Sequence, residues 1–315
     1  MFPAKIFWHS EEKHSVTAMT TLSTFSDELA DAISRSTSTI VALPSGRLTL
    51  SGVYWRPGIV VTTIDVRHCR GEITLMTPDG EAKPASLVGA DPGTDIAVLR
   101  VDATDRPMPE LADLDALRLG HFVLALGRSD DGNARAHCGI LASLGGAWPS
   151  WTGGYIDRLI RPDIRPFPGF AGSLLLDTQG RALGINTTHS RGREAITIPA
   201  TTVERVVDQM LQGGRVTRGY LGVGLQPVEL NPQLKQSLNL GQDIGVLIVS
   251  VETDSPAERG GVLIGDILLT LEGSAIFSVQ ALRAQLSPER VGQPITARMI
   301  RGGQLIELTL TVGER

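Results

Sequence analysis

Pro168-Gly169-Phe170-Ala171-Gly172-Ser173-Leu174-Leu175-Leu176-Asp177 is a glycine-broken turn that runs into a short apolar strand. Segments of the same kind recur upstream. Thr39–Leu43, Gly58–Thr62, Glu72–Thr77, Ser86–Gly89, Ala97–Val101 and Phe122–Leu126 are short and rich in valine, isoleucine and leucine. Pro-Asp-Gly, Asp-Pro-Gly and Asp-Asp-Gly turns punctuate them. A second set begins at Gly139–Leu144 and continues through Ser173–Leu176 and Ala182–Thr187. The pattern predicts two antiparallel β-barrels with a cleft between them. The 35 glycines and 18 prolines are spread along the 315 residues, which suits many strands and tight turns rather than a disordered tail.

The stretch 168–177 resembles the P-G-N-S-G-G-P-L-V-N signature of HtrA-type (Deg) serine proteases. Pro168, Gly169 and Gly172 match, while Ala171 stands in the serine position. Gly58–Val66 resembles the family's G-x-I-V-T-N-A-H-V segment, with Asp65 in the histidine position. Asp91–Leu99 is similar to D-P-x-x-D-I-A-V-L, which puts Asp95 at the triad aspartate. Asp163 falls at the aspartate of T-D-A-A-I-N-P-G-N-S. The order of base, aspartate and nucleophile is that of chymotrypsin-like folds. The resemblance therefore implies a mostly β chain: a chymotrypsin-like double β-barrel followed by a PDZ domain.

The substitutions remove the chemistry that such a fold normally carries. A methyl group has no lone pair to attack a carbonyl, so acyl-enzyme formation is unavailable at Ala171. A carboxylate at Asp65 is a much weaker base than an imidazole. If the fold brings Asp65 beside Asp95, two carboxylates replace the His–Asp pair. The oxyanion-hole positions Gly169 and Ala171 act through backbone N–H groups and do not need the lost side chains. Two residues stand close by in sequence as substitutes. Ser173 lies two residues past Ala171, and His68 three past Asp65. Both shifts carry the side chain away from the expected site, so no intact triad is expected. An active endopeptidase with a non-standard site is the alternative.

After Gln212-Gly213-Gly214, Arg218-Gly219-Tyr220-Leu221-Gly222-Val223 is similar to the R-G-Y-L-G-V opening of HtrA PDZ domains. Ile244–Val251, Asp254–Val262, Gly265–Leu268, the helical Val279–Leu286 and the strands Val291–Arg301 and Ile306–Val312 follow in the family's order. The resemblance implies that Tyr220, Leu221, Gly222 and Val223 form a loop whose N–H groups receive a peptide's terminal carboxylate. The peptide then adds as a strand along Val223–Gln226, with its last side chain near Leu282 and Leu286. The expected division is an N-terminal segment over 1–22, a trypsin-like protease-like domain over 23–213 and a PDZ domain over 214–315.

Other features narrow the function classes. The net charge of −5 and the absence of basic runs argue against nucleic-acid binding. Met1–Leu22 carries Lys5, Glu11, Glu12 and Lys13 without a continuous apolar core, so no signal peptide or membrane span is expected. That reading places the chain in the cytoplasm, or in the periplasm if the true start lies upstream. Two cysteines, each after a histidine (His68-Cys69 and His137-Cys138), are too few for a disulfide framework, and their adjacency suits a shared metal poorly. No metal and no cofactor is expected. Ser26 reads as the N-cap of a helix over Phe25–Ser34, and Pro199–Val207 as the helix closing the protease-like domain. The expected partners are peptide or protein C-termini, including those of misfolded proteins. The resemblance implies a homo-oligomer, a trimer, with Ser23–Ile33 as the assembly segment, or a mixed oligomer that regulates active relatives.

Overall fold

The computed structural model describes residues 12–45, 48–68, 72–102, 105–129, 131–150, 154–189 and 194–314. The chain divides into two compact units. One comprises residues up to Leu87 with Ala97–Leu144 and Ile160–Val203, the other Val88–Ile96, Gly145–Leu159 and Glu204–Arg315. His68-Cys69 and most of Met1–Leu22 fall outside the described side chains.

Helix α1 (Glu12–Ser36) is longer than the expected Phe25–Ser34, and Ser26 is exposed within it rather than capping it. The reason is plain in the chain: no glycine or proline stands between Pro3 and Pro44, so nothing interrupts the helix upstream. Phe25, Leu29, Ala32 and Ser36 share one face. Ala32 is fully buried. The Phe25 ring meets Phe122 at 5.4 Å, and the Ser36 hydroxyl donates to the Gly180 carbonyl.

The first barrel consists of β1 (Ile40–Ser45), β2 (Leu48–Arg56), β3 (Ile59–Thr63), β4 (Ile73–Met76), β5 (Ala82–Asp91) and β6 (Ile96–Val101), closed in the order β1-β2-β3-β6-β5-β4. Every residue of β3 is buried, as continuous Ile-Val-Val-Thr-Thr requires. Gly52 in β2 is a packing necessity, because a Cβ there would lie 2.8 Å from Val60 Cγ1.

The second barrel is built from β7 (Phe122–Arg128), β8 (Ala134–Gly145), β11 (Leu159–Pro162), β12 (Leu174–Leu176), β13 (Ala182–His189) and β14 (Glu194–Pro199). Its order is β11-β14-β13-β12-β7-β8, and the short pair β9 (Trp148–Pro149) and β10 (Tyr155–Ile156) stands apart from it. Its core includes Val123, Leu141, Ile160, Phe170, Leu175 and Leu183. Arg128, 4% exposed, donates to the carbonyls of Ile40, Thr37 and Gly132. Burial holds its pKa below the usual guanidinium value. Helix α2 (Ala200–Gly213) follows.

The PDZ domain pairs β15 (Gly219–Tyr220) with β22 (Gly313–Glu314) and carries a sheet ordered β16 (Val223–Glu229), β17 (Ile244–Val251), β18 (Ile267–Leu271), β20 (Pro294–Arg301), β21 (Gln304–Thr311). The short β19 (Ser274–Ala275) pairs with β18. Its three short helices are each announced by a cap. Asn231 accepts from Gln233 N–H at α3 (Pro232–Ser237), Ser255 from Glu258 N–H at α4 (Pro256–Arg259), and Ser278 from Ala281 N–H at α5 (Val279–Gln285). The core is formed by Leu221, Val246, Ile248, Leu268, Leu282 and Ile295 with their neighbours. Asp266, 2% exposed, accepts from Arg301 Nε at 2.8 Å, Arg301 Nη2 at 2.7 Å and Leu263 N–H at 2.8 Å.

Candidate functional site

The turn that enters β12 is held from below by Ser51. Its N–H donates to the Ala171 carbonyl at 2.8 Å and its hydroxyl to the Gly169 carbonyl at 2.6 Å, while the same hydroxyl accepts from Arg128 N–H at 2.9 Å. Gly169 and Gly172 have φ of 85° and 80°, and a Cβ on either would lie about 2 Å from the Arg128 or Ser51 carbonyl oxygen. Only glycine fits both places. Among the described residues, the N–H groups of Gly169 and Ala171 donate no hydrogen bond. The Ala171 side chain on this turn is a methyl group.

Ser173 is fully buried, its Oγ accepts from Asn186 Nδ2 at 2.9 Å, and Asn186 Oδ1 accepts in turn from the Thr197 hydroxyl at 2.7 Å. Phe170, in place of the family's asparagine, is 1% exposed and packs edge-on to Phe167 at 5.5 Å. Asp65 lies half-buried in the 3-10 turn Ile64–His68 that follows β3. Asp65 and Ala171 belong to the first unit. Asp95, half-buried with φ of 62°, belongs to the second, in the turn after β5. Asp163 is exposed at the end of β11. His137 stacks on Phe167 at 4.0 Å, and Cys138 beside it is exposed on β8 with burial of part of the thiol pushing its pKa up.

The second unit contains a cleft of about 710 Å³. Tyr220, Leu221, Gly222, Val223, Leu282 and Leu286 all line it, together with residues that include Asp91, Arg205, Arg218 and Arg283, so the six expected groove residues come together. Leu282 is a core residue, and Leu286 is the residue that caps the end of α5. Gly222 has φ of 80°. Among the described residues the N–H groups of Leu221 and Gly222 donate no hydrogen bond, whereas the carbonyls of both are taken, by Ala257 N–H and Glu252 N–H at 2.8 Å each. Leu221 and Gly222 thus present N–H donors while their own carbonyls are engaged. Strand β16 beside it is the end strand of its sheet.

Three side-chain contacts of the second unit were not expected from sequence. The Tyr220 hydroxyl donates to the Glu252 carboxylate at the mouth of the loop. Arg218 donates to Asp91, whose carboxylate also accepts from Thr94 N–H at 2.9 Å and the Thr94 hydroxyl at 2.8 Å. Arg205 donates to the Tyr155 carbonyl at 2.7 Å. Asp91 carried a signal, since Asp-Pro-Gly-Thr is a turn that needs a side-chain acceptor at its first position.

The fold is a trypsin-like double-barrel body followed by a PDZ module. The trypsin-like peptidase domain family matches residues 50–185 and the PDZ domain family residues 219–312. The solved HtrA-type protease AlgW with tripeptide superposes with a TM-score of 0.72 and 31% identity, covering 91% of this chain and 97% of that one. A serine endoprotease from Yersinia pestis gives a TM-score of 0.70 at 26% identity, over 91% and 98% of the two chains. Among curated relatives, the probable periplasmic serine endoprotease DegP-like of Chlamydia muridarum is 31% identical over 260 residues, 81% of this chain and 52% of that protein. The namesake from Halomonas elongata is 32% identical over 262 residues, 82% and 54% respectively. This chain belongs to the HtrA-type family. It spans about half the length of the curated relatives it matches. Among the described residues no helix is long and apolar enough to cross a membrane.

Proposed function

We propose that this chain is an HtrA-type pseudoprotease that binds the free C-termini of peptides or proteins through its PDZ domain and does not cleave them. The observation that carries this reading is the methyl side chain of Ala171 on a turn whose Gly169 and Ala171 N–H groups, among the described residues, donate no hydrogen bond. The relatives are named endoproteases, but here the nucleophile position holds a methyl group and the base position Asp65 a carboxylate. The locked, buried Ser173 supports the same reading.

The work divides between a protease-like domain over residues 23–213, after an N-terminal segment over 1–22, and a PDZ domain over 214–315. The relatives' names favour the periplasm over the cytoplasm as its compartment. Partners are C-termini of misfolded or regulated proteins, and copies of itself in a trimer or active relatives in a mixed oligomer. The test is binding of a short peptide in free-acid and C-terminally amidated forms, with the bound peptide recovered and weighed by mass spectrometry. The free acid binds, the amide binds at least about tenfold more weakly because the charge-assisted hydrogen bonds are lost, and the peptide returns intact. Equal binding of both forms would remove the carboxylate loop as the site.

A further inference from the structure

The end strand β16 has one paired edge and one open edge, and hydrogen bonds on its inner side fix which residues face out. The Gly222 carbonyl accepts from Glu252 N–H, so Val223–Val251 is a pair that exchanges no bond, and Val223 turns its own N–H and C=O to the open edge. Farther along, Ile248 donates to the Asp266 carbonyl and accepts from Gly265 N–H, so it faces β18. Leu247 and Gly245 then face β16, and their partners Gln226 and Val228 turn inward. The register skips Val249, so the extra residue is on β17 and β16 keeps its alternation. Val223, Leu225 and Pro227 are therefore the residues presented to an added strand, and both ends of β16 agree on this parity.

Proline has no N–H, so the open ladder offers a donor at Val223 and at Leu225 and none at Pro227. A peptide that seats its carboxylate on the Leu221 and Gly222 N–H groups runs antiparallel to β16. Its third-last residue lies opposite Leu225 and its fifth-last opposite Pro227, where a backbone carbonyl finds no donor. The facing helix sets the side-chain pockets. A Cβ on Gly219 would lie 2.6 Å from the Leu286 carbonyl, so the C-terminal end of α5 stands at the carboxylate loop. Val279 is seven residues away, about 10 Å at ~1.5 Å per residue, while same-face residues of a strand are about 6.7 Å apart. The last side chain thus meets Leu286 and Leu282, and the third-last falls between Leu282 and Val279; all three line the cleft.

We propose that Pro227 sets the length of C-terminus this groove reads, stopping it at the last four residues. This rests on the groove reading given above. Short reading suits a binder of chain ends that have only a brief mobile tail.

The test uses the full-length protein and free-acid peptides of four, six and eight residues, all ending Val-Ser-Val with alanine and serine upstream, titrated by fluorescence anisotropy or calorimetry. The wild type binds all three within about twofold. Pro227→Val binds the eight-residue peptide about fivefold more tightly than the four-residue one, the worth of one net backbone hydrogen bond. A wild-type gain of fivefold or more between four and eight residues overturns the length limit, as does a flat series in Pro227→Val. These outcomes leave the groove itself standing. Equal binding of the amidated four-residue peptide is the separate result that removes the groove reading.

Discussion

Replacing Gly222 with valine strikes the carboxylate loop at its most constrained point. The residue has φ of 80°, where a side chain costs about 1–2 kcal/mol. Its Cβ would lie 2.2 Å from Ser255 Cβ and 2.8 Å from the Ser255 and Tyr220 hydroxyl oxygens. Ser255 is 2% exposed and its hydroxyl caps α4, so it cannot retreat without uncapping that helix. Overpacking of this kind adds about 1–3 kcal/mol. The total of about 2–5 kcal/mol is met by shifting the loop, which carries the Leu221 and Gly222 N–H groups out of line. At ~1.4 kcal/mol per tenfold, free-acid peptide affinity falls at least about 30-fold. The assay is peptide titration beside a thermal melt, with Gly241→Val as control, since a Cβ at Gly241 meets nothing within 4 Å. Wild-type affinity and melting in Gly222→Val would refute the geometry argued for the loop.

Ala171→Ser alone stays inactive toward a fluorophosphonate probe, because a serine without a base remains protonated; adding Asp65→His gives slight labelling, and equal labelling of the single and double variants would show that Asp65 is not the base position. Asp266→Asn lowers PDZ stability by about 2–3 kcal/mol in urea melts at pH 7, less than a fully buried pair because Arg301 is about a third exposed. Burial alone would raise the Asp266 pKa, but the hydrogen bonds from Arg301 and Leu263 outweigh it and hold it below 3.8. Its contribution is therefore complete above the unfolded value and is lost as pH falls through the lower folded one, so Asp266→Asn flattens the stability slope below about pH 4. Removing Met1–Ile33 abolishes self-assembly in sedimentation while the PDZ domain still binds peptide; a full-length monomer at micromolar concentration would contradict the oligomer.

The strands that could be read in advance are those where valine, isoleucine and leucine run unbroken between turn signals, such as β3 and β17. β2 was missed because Thr49, Ser51 and Gly52 interrupt its apolar run, yet Ser51 and Gly52 are there for packing and for the tie to Gly169. That tie joins residues 118 positions apart, and nothing local announces it. β14 ends at Pro199, against the start of α2, so its sequence merged with the helix signal. The loop and helix residues expected from motif order line one cleft. The Tyr220–Glu252 and Arg218–Asp91 contacts were not legible in the sequence, since each needs the fold to bring distant side chains together. The facing of Pro227 likewise depends on its pairing with the distant Val246, which no local pattern announces.

Binding without cutting is tested most directly by incubating the purified full-length protein with β-casein, a denatured model substrate, and following it by electrophoresis and mass spectrometry beside the Asp65→His, Ala171→Ser double variant. The account predicts that casein stays whole with the wild type, however long the incubation, while the same preparation binds a free-acid peptide. Casein fragments that accumulate in proportion to wild-type protein, with stoichiometric fluorophosphonate labelling of any of its serines, would contradict it.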